Sequence, residues 1–211
     1  MKCAHSEISL RCAYYDEITV GIFTMKKSIE KPFFTPHPVL IIGTYDANGV
    51  PNAMNAAWGG QIGGSQISIS LGASHLTTAN IKLNKEFTVA YATADQIAAC
   101  DYVGVASGNN VPDKLEKCGF TVTKSDKVNA PVIDQLPVTI ECRVLKITEE
   151  FNECIVTGEI VGIKVDEDVI TEDGKVDVSK AGFVVYDTVS KCYRAVGDSV
   201  GAARNIGRKF E

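Results

Sequence analysis

The feature that most constrains the fold is a series of short segments in which apolar and polar residues alternate. In the clearest, residues 66–71, Ile67, Ile69 and Leu71 alternate with polar residues. Because successive side chains of a strand point to opposite faces, this period of two predicts a half-buried strand. Further strands are predicted at residues 37–45, 50–58, 87–92, 138–147, 152–165 and 183–197. Short strands at hairpin spacing predict an antiparallel barrel with a few helices outside it.

Three short helices are predicted between these strands. The first covers residues 77–84, with Thr77 as its N-cap and with Ile81 and Leu83 buried. The second and third are expected at residues 95–103 and 113–118, and Gly119 follows the third as a C-terminal stop signal.

Two long strands should close the core as a hairpin. Glu149 and Glu150 are expected to connect them, and Thr139, Glu141 and Arg143 are expected to face water on the first strand. Near the start of the barrel, residues 46–49 end in Asn-Gly, a pair that tolerates positive φ and therefore predicts a tight turn.

The composition is that of an ordinary globular protein, and it argues against two classes of partner. The 211 residues include 21 Lys and Arg against 26 Asp and Glu, which gives a net charge of −5. Binding to nucleic acid or to an anionic membrane needs clustered basic residues, so neither partner is expected. The apolar runs fall far short of the roughly 20 residues that cross a bilayer.

The first 24 residues show no clean period and contain charges throughout, so no signal peptide is expected. Met25 is followed by two lysines and resembles a natural start. We therefore hypothesise that residues 1–24 are an extension that precedes the native start, and that residues 25–211 form one domain. The alternative is that residues 1–24 form a peripheral strand or a flexible arm.

Seven cysteines, an odd number without CxxC spacing, give no sign of a disulfide framework or a zinc knuckle. Cys142 and Cys154 fall within predicted strands and are expected to be small buried hydrophobic residues. Cysteines without a disulfide pattern are typical of proteins in a reducing compartment, and we therefore expect a cytoplasmic protein.

The sequence lacks the common motifs of a catalytic metal site, a nucleophilic serine or a phosphate-binding loop. It has three histidines but no HExxH, GxSxG or P-loop motif, and its glycine-rich stretch at residues 59–64 precedes a strand instead of following one. That stretch is best interpreted as a flexible connection, and no metal site is expected. A bound cofactor is therefore the expected source of reactivity.

Residues 68–81 are the most informative segment. A predicted strand ends at Gly72, a cluster of small hydroxyl residues with His75 follows, and a helix then begins. The free N–H groups at a helix start favour an anion, and Ser74, Thr77 and Thr78 could add hydroxyl donors to a phosphate. The alternative is a capped helix start with a surface histidine.

Several segments together resemble the flavin reductase-like, FMN-binding split-barrel family, most closely its flavoredoxin branch. They are residues 51–58, 70–72, 74–81, 106–108, Asp113 with Lys114, and residues 193–197. The resemblance extends over roughly residues 33 to 200, and the order and spacing of the segments carry it.

The resemblance implies a mainly β fold, a six-stranded antiparallel Greek-key split barrel with peripheral helices. It further implies a homodimer that holds FMN near the subunit interface. The segment from Asn55 to Trp58 would line the flavin ring, the strand end at Gly72 would lie under it, and His75 with Thr77 would hold its phosphate. The complete cofactor-binding set expected is Asn52, Asn55, Ala56, Ala57, Trp58, Ser70, Leu71, Gly72, Ser74, His75, Thr77, Thr78, Asn80 and Lys114.

Two members of this set have a second interpretation. Trp58, the only tryptophan, either stacks beside the flavin or caps the barrel. Lys114 either reaches the phosphate or is a solvated lysine on a short helix.

The function implied is that of an FMN-dependent oxidoreductase. NAD(P)H or a redox protein would donate electrons through FMN to an acceptor, and no catalytic side chain is named. The alternative is a non-enzymatic flavin carrier or storage protein with the same site. A barrel that binds oligonucleotides is disfavoured by the acidic balance.

Overall fold

The structure is a computed structural model, and it describes residues 26–211. The predictions for residues 1–24 and for a start at Met25 lie outside the described residues. Residues 26–32 contain no helix or strand, and residues 33–211 form one unit.

One curled antiparallel sheet forms most of this unit. Its strands in chain order are β2 (Leu40–Tyr45), β3 (Pro51–Ala56), β4 (Gly59–Gln61), β5 (Gln66–Gly72), β6 (Glu86–Tyr91), β9 (Val138–Glu150) and β10 (Glu153–Val165). The spatial order is β3-β2-β6-β9-β10-β5-β4. The strands β5 and β6, consecutive in the chain, are separated by the β9–β10 hairpin, as in a Greek key.

The sheet curls until its two edges approach each other. Ala57 and Trp58 connect the edge strand β3 directly to the edge strand β4, and the N–H of Ser70 on β5 donates to the carbonyl oxygen of Trp58 at 2.8 Å. No ladder joins β3 to β5, so the barrel is open between these strands. The mainly β split-barrel prediction is confirmed, with the three-residue β4 as an addition to the six longer strands.

Smaller elements surround the barrel. A second sheet has the order β1-β11-β12, formed by β1 (His37–Pro38), β11 (Val184–Asp187) and β12 (Cys192–Ala195), and β7 (Val122–Lys124) pairs with β8 (Pro131–Ile133). The helices are α1 (Leu76–Asn84), α2 (Ile97–Val105) and α3 (Lys114–Lys117), with 3₁₀ turns at Glu167–Val169 and Ile206–Phe210. Among the described residues, no helix is long and apolar enough to cross a membrane.

The core has two parts, one on each face of the sheet. Leu40, Ile42 and Phe87 belong to the cluster that fills the barrel, whereas Ile41 and Ala90 belong to a second cluster with residues of α2 and α3. The strands β2 and β6 are therefore covered on both faces, and a simple alternation would not describe their burial.

The prediction of a water-facing side on β9 is wrong for two of its three residues. Thr139 and Glu141 are both buried, and the chain between β7 and β8 contacts Glu141. The hydroxyl of Ser125, in that chain, donates to Glu141 Oε1 at 2.6 Å. Arg143 is exposed, as predicted, and pairs with Glu86.

The hairpin turn also differs from its prediction. The strand β9 continues through Glu150, and the turn consists of Phe151 and Asn152, with φ angles of 50° and 65°. Two consecutive residues with positive φ are typical of a type I′ turn, whose twist matches that of the flanking strands.

The helix α1 begins one residue earlier than predicted. His75 is its N-cap, without a side-chain capping bond, and Thr77 lies inside the first turn. Ile81 is buried as predicted, but Leu83 is 57% exposed because it lies on the solvent side of the helix. Half of the glycine-rich stretch is not a flexible connection, because Gly59–Gln61 pairs with β5.

Candidate functional site

Two adjoining cavities lie at the opening of the barrel. The larger has a volume of about 560 Å³ and the smaller about 220 Å³. Met54, Asn55 and His75 line both, so these residues mark the junction between the cavities.

The predicted ring-binding residues form two walls of the larger cavity. The end of β3 and the following link contribute Asn55, Ala56, Ala57 and Trp58, and the end of β5 contributes Ser70, Leu71 and Gly72. The edge strand β3 pairs only with β2, so the backbone polar groups on its other edge have no ladder partner and remain free for a flat, polar-edged ligand.

Trp58 lies at the cavity and not in the barrel core. Its side chain is 55% exposed, and the edge of its ring meets His37 at a centroid distance of 4.5 Å. The interpretation of Trp58 as packed in the core is therefore wrong, and its exposed side chain lines the larger cavity.

Gly72 allows His75 to pack at the junction. A Cβ atom on Gly72 would lie 3.0 Å from His75 Cε1, tighter than ordinary van der Waals contact. The imidazole therefore lies against the backbone at the end of β5. Ser74, in the same loop, also lines the larger cavity.

The smaller cavity contains the donors expected of an anion site. Asn52 Nδ2 donates to Thr77 Oγ1 at 2.8 Å, which leaves the Thr77 proton free to be donated to a ligand. Leu76 and Thr77 open α1 at the wall of this cavity, where their N–H groups have no partner within the helix. Ser107 lines the same cavity.

Lys114 supplies a buried positive charge beside these donors. The residue is only 3% exposed, and Nζ donates to the carbonyl oxygens of Val103 and Ala106, both at 2.9 Å. An ammonium has three N–H groups, so one remains for a ligand in the cavity that Lys114 lines. Burial lowers the pKa of Lys114 to about 8, so the ammonium is largely charged at neutral pH. The interpretation as a solvated lysine is wrong.

Thr78 and Asn80 lie behind the cavities and line neither. Thr78 Oγ1 donates to the carbonyl oxygen of Gly72 at 2.8 Å, and Asn80 Nδ2 donates to Thr44 Oγ1 at 3.1 Å. Both side chains are buried and hold α1 against β5 and β2.

Sequence reasoning missed a third wall of the larger cavity. Asp101 comes from α2, Asn152 and Glu153 from the β9–β10 turn, and Tyr186, Lys191 and Tyr193 from the β11–β12 hairpin. Tyr193 belongs to a segment that carries the family resemblance, but nothing in the local sequence around Asp101 distinguishes it.

Metal and disulfide chemistry find no support in the described residues. No group of three His, Cys, Asp or Glu residues in residues 26–211 is placed to hold a metal ion. The five described cysteines are free; Cys142 and Cys154 are buried, as predicted, and burial raises the pKa of Cys142 to about 12.

Comparisons with known proteins agree with this architecture. The family model described as flavin reductase like domain matches residues 33–184. An uncharacterized protein of Archaeoglobus fulgidus is 32% identical over 143 residues, which cover 67% of this chain and 78% of that protein.

Two solved structures show the same fold. Flavoredoxin of Desulfovibrio vulgaris superposes with a TM-score of 0.82 and 33% identity, covering 87% of this chain and 100% of its own. Flavoredoxin from Methanosarcina acetivorans has a TM-score of 0.81 and 26% identity, covering 89% and 100%. The chain therefore belongs to the flavin reductase-like family of split-barrel proteins.

Proposed function

We propose that this protein is an oxidoreductase that binds FMN across the two adjoining cavities and transfers electrons through it. The observation that carries the proposal is the position of Lys114. A buried ammonium lies beside free hydroxyl and N–H donors in the smaller cavity, which shares Met54, Asn55 and His75 with the larger one. A ligand with an anionic end and a flat, polar-edged ring matches this pair of cavities.

The smaller cavity fits a phosphate group in charge and in donors. Lys114 Nζ would contribute a charge-assisted hydrogen bond, and the Thr77 hydroxyl would contribute a further donor. The first N–H groups of α1 add the partial positive charge of a helix start. His75 is placed where its imidazole could assist either end of the ligand.

The larger cavity fits a flavin ring. Ala56, Ala57 and Leu71 give it apolar surface, and the free edge of β3 gives it N–H and C=O groups for the polar edge of the ring. We expect Trp58, which lines this cavity and is half exposed, to cover one face of the ring. When bound, the flavin supplies the capacity to take up and release electrons, and the side chains orient it and exclude water.

The electron donor is proposed to be NAD(P)H or a redox protein, and the names of the two flavoredoxins support a role in electron transfer. Reduction of bound FMN by NADH or NADPH under argon would be seen as bleaching of its visible absorbance. Bleaching supports a nicotinamide-dependent reductase. No change with either nicotinamide would point to a redox-protein donor or to a flavin carrier.

Affinity for FMN tests the placement of the phosphate. Thr77→Ala removes one donor to a charged group, worth roughly 1.5–3 kcal/mol, so FMN affinity should fall about 10- to 150-fold. Thr77→Ser keeps the hydroxyl and should retain most of the affinity. Riboflavin, which lacks the phosphate, should bind all three proteins alike, as measured by fluorescence quenching. Equal losses for FMN and riboflavin would contradict a phosphate role.

We also propose that two copies associate as a twofold homodimer. Exposed apolar residues on the β9–β10 hairpin, Leu145, Ile155 and Ile163, give this chain apolar surface that a second copy could bury. The segment after Tyr193, in which Phe210 is exposed, is a further candidate contributor.

A further inference from the structure

The side chain of Asn55 is anchored at the junction of the two cavities. Its Nδ2 atom donates to the backbone carbonyl oxygen of Cys100 at 3.1 Å and to the hydroxyl oxygen of Tyr193 at 3.4 Å. A backbone carbonyl can only accept a hydrogen bond, so the amide group of Asn55 must turn its nitrogen toward Cys100.

Tyr193 reinforces this orientation because its hydroxyl proton is already donated to another residue. The hydroxyl donates to Asp101 Oδ1 at 2.5 Å, since an ionised carboxylate can only accept a hydrogen bond. Burial, together with the Asp101 carboxylate, raises the pKa of Tyr193, so the hydroxyl keeps its proton at neutral pH. Toward Asn55, Tyr193 can therefore act only as an acceptor.

These bonds leave one polar atom of Asn55 without a partner. Both N–H bonds of the amide are directed at acceptors, and among residues 26–211 no group donates to Asn55 Oδ1. Among the described residues, the buried side-chain atoms without a partner are His37 Nε2 and Thr139 Oγ1. Asn55 Oδ1 is therefore not buried, and we infer that it is accessible from the cavities that Asn55 lines. The junction therefore presents a hydrogen-bond acceptor of fixed orientation.

We infer that Asp101 and Tyr193 are positioning residues that orient the Asn55 carbonyl oxygen to accept a hydrogen bond from a hydroxyl of the ribityl chain. The inference rests on the proposed function, in which the ring occupies the larger cavity and the phosphate the smaller one. The ribityl chain must then cross the junction, and its hydroxyl groups are the hydrogen-bond donors of that part of the ligand.

Two isosteric variants test the inference against a pair of ligands. In Asp101→Asn, the new amide can donate to Tyr193, which turns the tyrosine proton toward Asn55 and removes one of the two acceptors that orient its amide. Tyr193→Phe removes the hydroxyl and keeps the ring. Each variant should lower riboflavin affinity about 3- to 10-fold, the effect of one neutral hydrogen bond. Affinity for lumiflavin, which has the ring but no ribityl chain, should not change.

A double-mutant cycle separates positioning from direct contact. If Asp101 acts through Asn55, Asp101→Asn should cause no further loss of riboflavin affinity in an Asn55→Ala background. The matched control is Asp126→Asn, which alters a surface carboxylate paired with Lys164 that lines neither cavity. This control should bind both ligands as the original protein does.

Three results would overturn the inference: losses that add in the Asn55→Ala background, equal losses for lumiflavin and riboflavin, or unchanged riboflavin affinity in both isosteric variants. Flavin binding by the unsubstituted protein tests the proposed function itself. If it binds neither riboflavin nor lumiflavin, the proposed function fails as well, whereas binding of both with any of the three results removes only the positioning role.

Discussion

Lys114 couples the charge of the smaller cavity to pH. Burial lowers its pKa to about 8, and the two carbonyl oxygens that it contacts hold the ammonium in place without neutralising it. At pH values below this pKa the ammonium is charged and attracts a phosphate. As the pH rises above the pKa, Lys114 loses its proton and the attraction is lost. A bound phosphate favours the charged form and shifts this loss to higher pH.

We therefore expect the affinity for FMN to fall between about pH 7 and about pH 9.5, by on the order of 10-fold. The measurement is the ratio of FMN to riboflavin dissociation constants across this range, which cancels titration of the ring itself. Lys114→Met should bind FMN weakly with a ratio independent of pH. A ratio in the original protein that stays flat would show that Lys114 does not contact the phosphate.

His75 lies at the junction and also lines the smaller cavity that contains Lys114. A guanidinium is a permanent cation with several donors suited to a phosphate, and an imidazole is not. His75→Arg should therefore raise FMN affinity and leave riboflavin affinity unchanged in quenching titrations. A gain for both ligands would mean that the arginine acts on the ring, and a loss for FMN would contradict a place beside the phosphate.

At the scale of elements, the end of β5 depends on the absence of a side chain at Gly72. A Cβ atom there would press on the His75 ring at 3.0 Å. Gly72→Ala should displace the imidazole into the cavity and weaken FMN binding several-fold. In a His75→Ala background, the same change should have little effect.

Gly63→Ala is the matched control for this prediction. A Cβ atom at Gly63 meets nothing within 4 Å, and Gly63 does not have positive φ. The Gly63→Ala variant should therefore bind FMN with unchanged affinity. If Gly72→Ala weakens binding equally with and without His75, the added methyl group acts on the ligand directly.

The β9–β10 hairpin has a turn that its sequence does not favour. Phe151 has φ of 50° and is 98% exposed, so it bears the strain of a left-handed conformation with almost no packing in return in this structure. Phe151→Asn should raise the free energy of unfolding by about 0.5–1 kcal/mol, since asparagine tolerates this conformation. Urea denaturation measures the change, and a decrease would reveal a packing role for the ring.

At the scale of the whole molecule, the proposed homodimer predicts a mass near twice the 22.7 kDa of one chain. Light scattering at micromolar concentration with FMN bound should give this value. Leu145→Glu with Ile163→Glu, on the exposed part of the long hairpin, should shift the mass toward one chain. A monomer that holds FMN tightly would contradict the homodimer.

The sequence was enough to predict the six longer strands of the barrel, and most clearly the alternating ones, because alternation depends only on local strand geometry; it did not predict β4, β7 or β8. Residues 66–71 are strand with Ile67, Ile69 and Leu71 buried, as the period of two predicts. The Asn-Gly turn at residues 46–49 was equally predictable, since Gly49 has φ of 78°. The ends of β3 and β5, which line the larger cavity, were predicted by their resemblance to family segments.

Only the tertiary structure decided which strand faces are covered and which distant residues meet. Thr139 and Glu141 alternate like exposed residues, yet both are buried, and Ser125 donates a hydrogen bond to Glu141. Asp101 and Tyr193 are 92 positions apart and are joined by one hydrogen bond at the wall of the larger cavity. Such contacts depend on how the α2 helix and the β11–β12 hairpin pack, and the period of a local segment carries no information about that packing.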